Sequence, residues 1–357
     1  MRNKPDTGFI RVSDWKQGLD ENDPFFASVL SGNWKKARAI LDRLSPKSYA
    51  AMVAMSAEAF YSDTRSLATR LEQRRYDGFS ENAQWEFFAQ AQGSSVDNDT
   101  AADAPVFDFD THGVLAGADY KFDAETLFGL ALGMSTGEAK IHNGGGNIES
   151  SDFLLTAYAG KTIEERFYVN AGTQFGYALY DVKRTTDYGK ASGDTTGWSA
   201  GLFADAGTLV TLSAKKKLYA MPYVGIAYVH AQADAFTESG SDKAFDADDV
   251  SGDSLRARVG CGFSWGFELV EKSWRLGLDA AYSYDFLGDE VDVDVTAQDG
   301  SRISETAKAL PESVFSVGPT LNVDLNSAAS LYAGYTFDIG TDSYVKHSAN
   351  LGFRMRF

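Results

Sequence analysis

Cysteine, proline, basic charge and long apolar runs are what this chain has least of. Among its 357 residues there are one Cys and 7 Pro. The lone Cys261 cannot close an internal disulfide, so cysteine usage reports no redox compartment. No run of about eighteen or more apolar residues occurs, which excludes a transmembrane helix. Lys and Arg number 33 against 50 Asp and Glu, a net charge of -17. A surface so short of basic patches excludes nucleic acid as a partner. Histidine is rare as well: His112, His142, His230 and His347 stand apart, none with a second ligand at a metal spacing such as HExxH. No metal, cofactor or catalytic residue is therefore assigned. No apolar segment follows Met1 to Pro5, so no signal peptide is read there, and the chain is expected either to be the C-terminal part of a longer precursor or to begin downstream of the true start.

What is abundant is glycine, with 34 residues, and aromatics, with 24 Phe, 17 Tyr and 6 Trp. Both suit curved strands and the aromatic girdles of a membrane barrel. The clearest periodicity closes the chain, in YVKHSANLGFRMRF. Val345, His347, Ala349, Leu351, Phe353, Met355 and Phe357 alternate with Lys346, Ser348, Asn350, Gly352, Arg354 and Arg356. That is a period of two, a strand with one apolar face, and it fits a barrel whose outer face meets lipid and whose lumen is wet.

Taken in order, residues 1–23 read as a polar linker or the tail of something upstream. From Pro24 the period becomes helical. Phe25, Phe26, Val29 and Leu30 predict a short helix ended by Ser31-Gly32-Asn33, and Trp34, Ala37, Ile40, Leu41 and Leu44 a second. Ser45-Pro46 is a helix start, and no Gly or Pro interrupts the run to Tyr76. Roughly thirty residues make a helix about 45 Å long, enough to cross a membrane. Its charges, Glu58, Asp63, Arg65, Arg70, Glu72, Arg74 and Arg75, forbid contact with lipid. Inside a pore, or on the surface of a soluble domain, they are tolerated.

From Gln84 onward apolar and polar residues alternate in about twelve segments, an even number as such barrels require. The eighth is typical, with Leu255, Ala257, Val259, Cys261, Phe263, Trp265 and Phe267 set against Arg256, Arg258, Gly260, Gly262, Ser264 and Gly266. Short connections, such as 123–125, 161–165, 214–217, 270–273 and 326–330, alternate with long polar ones at 94–104, 135–150, 184–196, 237–254 and 288–311. Short turns belong on the periplasmic side and long loops outside. The fold class expected is an all-β transmembrane barrel of about 12 antiparallel strands with an N-terminal α-helix in the pore. Its parts are 1–23, a helical linker and pore helix at 24–83, and the barrel at 84–357.

Three stretches together resemble the C-terminal β-barrel translocator domain of autotransporters, the type V secretion proteins. They are the terminal NLGFRMRF, the helical LDRLSPKSYAAMVAMSAEAF before the first strand, and PYVGIAYVHAQADAFTESG in the seventh strand and the loop after it. The resemblance implies insertion in the outer membrane of a Gram-negative bacterium, export of an N-terminal passenger in cis, and no catalytic residues. It also implies that Asn350, Gly352, Phe353, Met355 and Phe357 form the signal read by the barrel assembly machinery. Some relatives cut the passenger inside the pore with a helix asparagine; no Asn lies between Ser45 and Tyr76, so no such cleavage is expected.

Contacts between helix and lumen are expected among Arg65, Arg70, Arg74 and Arg75 on the helix and Glu86, Asp119, Asp205, Asp279, Asp285 and Asp338 on the wall. The acidic loops, Glu238, Asp242, Asp246, Asp248, Asp249 and Asp253 in one and Asp289, Glu290, Asp292, Asp294 and Asp299 in another, suit divalent cations shared with lipopolysaccharide phosphates. Solvated acidic loops are the simpler reading. The partners expected are outer-membrane lipid and lipopolysaccharide, the assembly machinery and the passenger, with the barrel a monomer. Two alternatives stay open: a plugged, porin-like channel, and an outer-membrane lipase or protease barrel using His112 or His230 at the rim.

Overall fold

The computed structural model describes residues 23–77, 84–98, 106–164, 166–288 and 290–357. Three helices come first: α1 (Pro24–Leu30), α2 (Trp34–Leu44) and α3 (Ala50–Asp77), with a 3-10 turn at Pro46–Tyr49 leading into α3. Asp23 caps α1, accepting from the Phe25 and Phe26 amides at 2.9 and 3.2 Å, and Asn33 caps α2 through the Lys36 amide. Such side chains satisfy amides left without partners at a helix start.

Twelve barrel strands follow. They are β1 (Trp85–Asp97), β2 (Phe107–Lys121), β3 (Thr126–Ile141), β4 (Gly146–Ile163), β5 (Phe167–Thr186), β6 (Gly189–Thr208), β7 (Leu218–Ala233), β8 (Val250–Leu269), β9 (Lys272–Asp285), β10 (Ser313–Asp324), β11 (Ala329–Gly340) and β12 (Val345–Arg356). Every neighbouring pair is antiparallel, and the sheet closes where β1 meets β12, with Glu86 opposite Arg356 and Asp97 opposite Val345. Closure removes the free edges that lipid cannot satisfy.

The outward face carries the apolar belt. One row crosses five strands in register: Val114, Met134, Phe153, Tyr177 and Trp198. At the other rim aromatics cluster, with Trp85 against Tyr120 at 5.0 Å and Phe87 against Phe357 at 5.6 Å. Rings clustered at such a rim suit the interface of a membrane-crossing band.

The long outer loops expected at 135–150 and 184–196 are instead strand. β3 and β4 run on to a short turn at His142–Gly144, and β5 and β6 to a turn at Asp187 and Tyr188. Beyond the hydrocarbon an outward face need not be apolar, so the alternation fades while the ladder of backbone hydrogen bonds continues. The stretch 288–311 likewise folds as a hairpin, Glu290–Ala297 with Arg302–Lys308, and that hairpin joins the short strands Phe245–Ala247 and Phe236–Thr237 in a second, four-stranded sheet. This sheet covers the outer mouth.

At 1.5 Å per residue the 28 residues of α3 span about 42 Å. The helix starts under the outer sheet and runs down the lumen. Residues 50–58 are buried on every side, whereas from Tyr61 onward only one stripe, Asp63, Thr64, Leu67, Arg70 and Leu71, is buried. The opposite face borders a cavity of about 180 Å³.

Candidate functional site: the helix-filled lumen

The upper contacts of α3 are set by residues just before it. Tyr49 donates to Glu238 Oε1 at 2.6 Å, and Arg184 of β5 reaches both Glu238 oxygens at 3.1 and 2.6 Å. The Arg184 guanidinium also lies 4.2 Å from the Phe245 ring centre. Glu238 was expected in an acidic outer loop, either solvated or sharing divalent cations; it is buried and neutralised within the chain. Further along, Phe60 packs where Gly201 has no side chain, and a Cβ there would collide with its ring.

From Glu58 onward α3 makes ionic contacts of its own. Glu58 meets Lys346 of β12 and, at 3.1 Å, the Tyr344 hydroxyl. Arg65 donates to both oxygens of Asp338 at 3.1 Å and to Ser316 at 2.8 Å. Arg70, 1% exposed, donates to Glu86 at 3.0 Å, to Asp119 at 2.5 and 2.8 Å, and to the Tyr158 hydroxyl at 2.6 Å. Its guanidinium stacks 3.9 Å above the Phe88 ring. Bidentate arginine pairs of this kind fix geometry as well as charge. Arg75 donates to Asn170 Oδ1 at 2.5 Å, and Asn170 in turn donates to Asp205 at 2.8 Å.

The expected partners therefore separate into groups. Arg65 and Arg70 meet Asp338, Glu86 and Asp119 directly. Asp205 is linked to Arg75 through an amide. Asp279 and Asp285 do point inward, but the arginines they bond are on the wall: Arg258 at 2.7 Å and Arg256 at 3.5 Å, both of β8. Those two arginines were read only as the polar face of a strand. A strand pattern tells which way a side chain points, and the pairing depends on which strand lies next to it. The Arg74 side chain lies outside the described residues. Glu58, Tyr158, Lys346 and the Tyr49–Arg184–Glu238 cluster had no distinguishing mark beyond being charged or polar at inward positions.

The terminal signal residues sit in β12 and at its end. Phe353, Met355 and Phe357 face outward, and Phe357 closes the barrel by donating its amide to the Trp85 carbonyl at 2.9 Å. Gly352 faces in beneath the Tyr332 ring, which occupies the space a side chain would need, and Asn350 borders the cavity. Of the acidic loops, Asp248 and Asp294 flank Arg302 at 2.9 and 3.5 Å; Asp289 lies outside the described residues. Among the described residues no group of three potential metal ligands converges. His230 meets Asp253 at 3.0 Å, with the Tyr228 hydroxyl on the same oxygen at 2.6 Å, and no serine hydroxyl is hydrogen-bonded to that histidine among the described residues.

Fold and site together define a twelve-stranded membrane-type β-barrel filled by its own N-terminal helix. The autotransporter beta-domain family matches residues 87–336, and this chain belongs to that family. It is a translocator barrel. Among solved structures it is similar to the translocator domain of the autotransporter NalP from Neisseria meningitidis, at 18% identity and a TM-score of 0.65, over 86% of this chain and 100% of that one. The beta domain of the Bordetella autotransporter BrkA superposes with a TM-score of 0.58 at 15% identity, over 77% of this chain and 100% of that one. The transport unit of AIDA-I from Escherichia coli gives 0.55 at 13%, over 78% of this chain and 92% of that one. No curated protein matches the chain.

Proposed function

We propose that this barrel resides in the outer membrane of a Gram-negative bacterium and delivers an N-terminal passenger, joined in cis, to the cell surface. The observation that carries this reading is the direction of α3. Its first residues lie at the mouth formed by the long strands, and its last lead toward β1 at the short-turn end. Anything preceding Asp23 is thereby presented outside, while the barrel stays in lipid. Residues 24–83 act as linker and pore helix and 84–357 as the barrel. Arg65, Arg70 and Arg75 hold the helix against the lumen. The barrel assembly machinery reads Asn350, Gly352, Phe353, Met355 and Phe357, and the inserted barrel is a monomer surrounded by lipid and lipopolysaccharide. With no asparagine in α3, the passenger stays attached. The part played is transport and the chain needs no catalytic group.

The test places a signal sequence and an epitope-tagged passenger ahead of Asp23 and treats whole cells with antibody and external protease. A tag reached from outside, on a polypeptide that migrates as passenger plus barrel, supports the proposal. A tag protected until the outer membrane is opened refutes it. The cavity beside the lower half of α3 favours one second reading, a plugged channel, which would pass ions while failing that display assay.

A further inference from the structure

Among the described residues, the fully buried carboxylates of this lumen are paired with cations, with two exceptions, Asp63 and Asp152. Glu58 has Lys346, Asp338 has Arg65, Glu86 and Asp119 share Arg70, Asp285 has Arg256 and Glu238 has Arg184. Asp63 of α3, 1% exposed, has only amides: Gln92 Nε2 at 2.6 Å and Gln174 Nε2 at 3.4 Å. Asp152 of β4, 5% exposed, has only hydroxyls: Ser150 at 2.9 Å and Ser56 at 3.3 Å. Beside Asp63, Gln174, 2% exposed, holds an Oε1 that no donor reaches among the described residues. This corner of the lumen has one acceptor too many and negative charge without a counterion.

Burying an ionised carboxylate without a cation is costly, and such a group either takes a proton, finds a cation or moves to water. A metal ion does not fit the space. The cavity beside α3 is bordered by Gln92 but not by Asp63, Asp152 or Gln174, and on the β3 side a Cβ at Gly133 would stand only 2.6 Å from Asp63 Oδ2. A proton needs no such room.

The other titratable groups near Asp63 do not supply the charge. Tyr180 of β5 is bonded to Ser56 at 2.6 Å and to the Met52 carbonyl at 3.1 Å. About two turns along the helix, Arg70 is committed to Asp119 of β2, Glu86 of β1 and Tyr158 of β4. On the opposite face of α3, Glu58 and Arg65 are held by Lys346 of β12 and Asp338 of β11.

We propose that Asp63 is a proton-binding latch, so that α3 sits tightly against the β3–β5 wall when the Asp63 carboxyl is neutral and is loosened when it ionises. The proton removes the uncompensated charge and adds the missing donor. Loosening moves α3 toward the cavity on its other side. The inference rests on the seated helix alone and is independent of any passenger.

The experiment records single-channel conductance of the purified barrel in planar bilayers from about pH 5 to about pH 8, with heat-modifiable migration on gels as the check of folding. The wild type should conduct several-fold more at the upper end. Asp63→Asn, neutral at every pH, should stay low and flat. Asp152→Asn, which removes the neighbouring like charge, should shift the rise to lower pH. A wild type indifferent to pH, or an Asp63→Asn barrel with the wild-type rise, would overturn the proposal. Should Asp63→Asn fail to fold, infrared spectra of the wild type decide. A protonated-carboxyl carbonyl band present at acid pH and lost toward pH 8 supports the latch, and its absence throughout refutes it.

Discussion

The two halves of α3 close the same lumen by different physics. The outer half begins with AAMVAMSA, small and flexible side chains that are buried all round. Close packing of this kind excludes water without any charge. The inner half is attached along one stripe by Arg65, Arg70 and Arg75 and leaves about 180 Å³ open beside it. Packing therefore seals the barrel at the mouth formed by the long strands, and ion pairs tether the helix farther down the lumen. A seal made of methyl groups tolerates no added volume, whereas a tether tolerates added volume but not the loss of a charge.

Removing the central tether should have the largest effect. Arg70→Met takes the shared guanidinium from Asp119 and Glu86, of which Glu86 keeps its pair with Arg356 at 3.1 Å, and breaking a buried pair from one side costs about 3–5 kcal/mol. The midpoint of thermal unfolding in detergent should fall accordingly, and Arg70→Lys should recover only part of it, because an ammonium cannot serve both carboxylates and Tyr158 in fork geometry. An unchanged midpoint would show that α3 is held by its outer half alone.

A matched pair of enlargements separates seal from tether more directly. Ala54 is fully buried, so Ala54→Phe should cost about 1–3 kcal/mol by overpacking. Ala68 borders the cavity, and Ala68→Phe should change stability by no more than about 0.5 kcal/mol. Equal losses at the two positions would erase the distinction between the halves.

The smallest effect concerns the cap above the seal, where Tyr188 donates to both oxygens of Asp23 at 2.9 Å. Burial, reinforced by that carboxylate, pushes the Tyr188 phenol up to about 12. A raised value means the contact is fully present below the ordinary phenol value of about 10 and is lost as pH climbs through the raised one. Protease sensitivity near α1 should rise across that window, and in Tyr188→Phe it should be high already at neutral pH.

Strand direction was legible because lipid imposes it: an outward position in the membrane band must be apolar, so the alternation around Val259, Cys261 and Phe263 reads straight from the sequence. The outer extensions of β3 to β6 were not legible, since water on both faces removes that constraint and the polar residues of 135–150 look like loop. The pore helix was legible from an uninterrupted run of helix-forming residues whose charges rule out lipid. Which arginine meets which carboxylate was not, and Asp279 and Asp285 fell to Arg258 and Arg256 because β8 lies beside β9.

By itself, then, the sequence determined a twelve-strand alternation, a helix long enough to fill the pore, and a terminal strand ending on an aromatic residue, since each follows from local period and from the solvent on either side. Only the tertiary structure decided that the helix is sealed at one end and tethered at the other, that Glu238 is an internal ion-pair partner, and that Asp63 and Asp152 are buried with no cation paired to them among the described residues. Those facts depend on which residues distant in sequence share a level of the barrel, and that is fixed by the register of the closed sheet, a property no single strand carries.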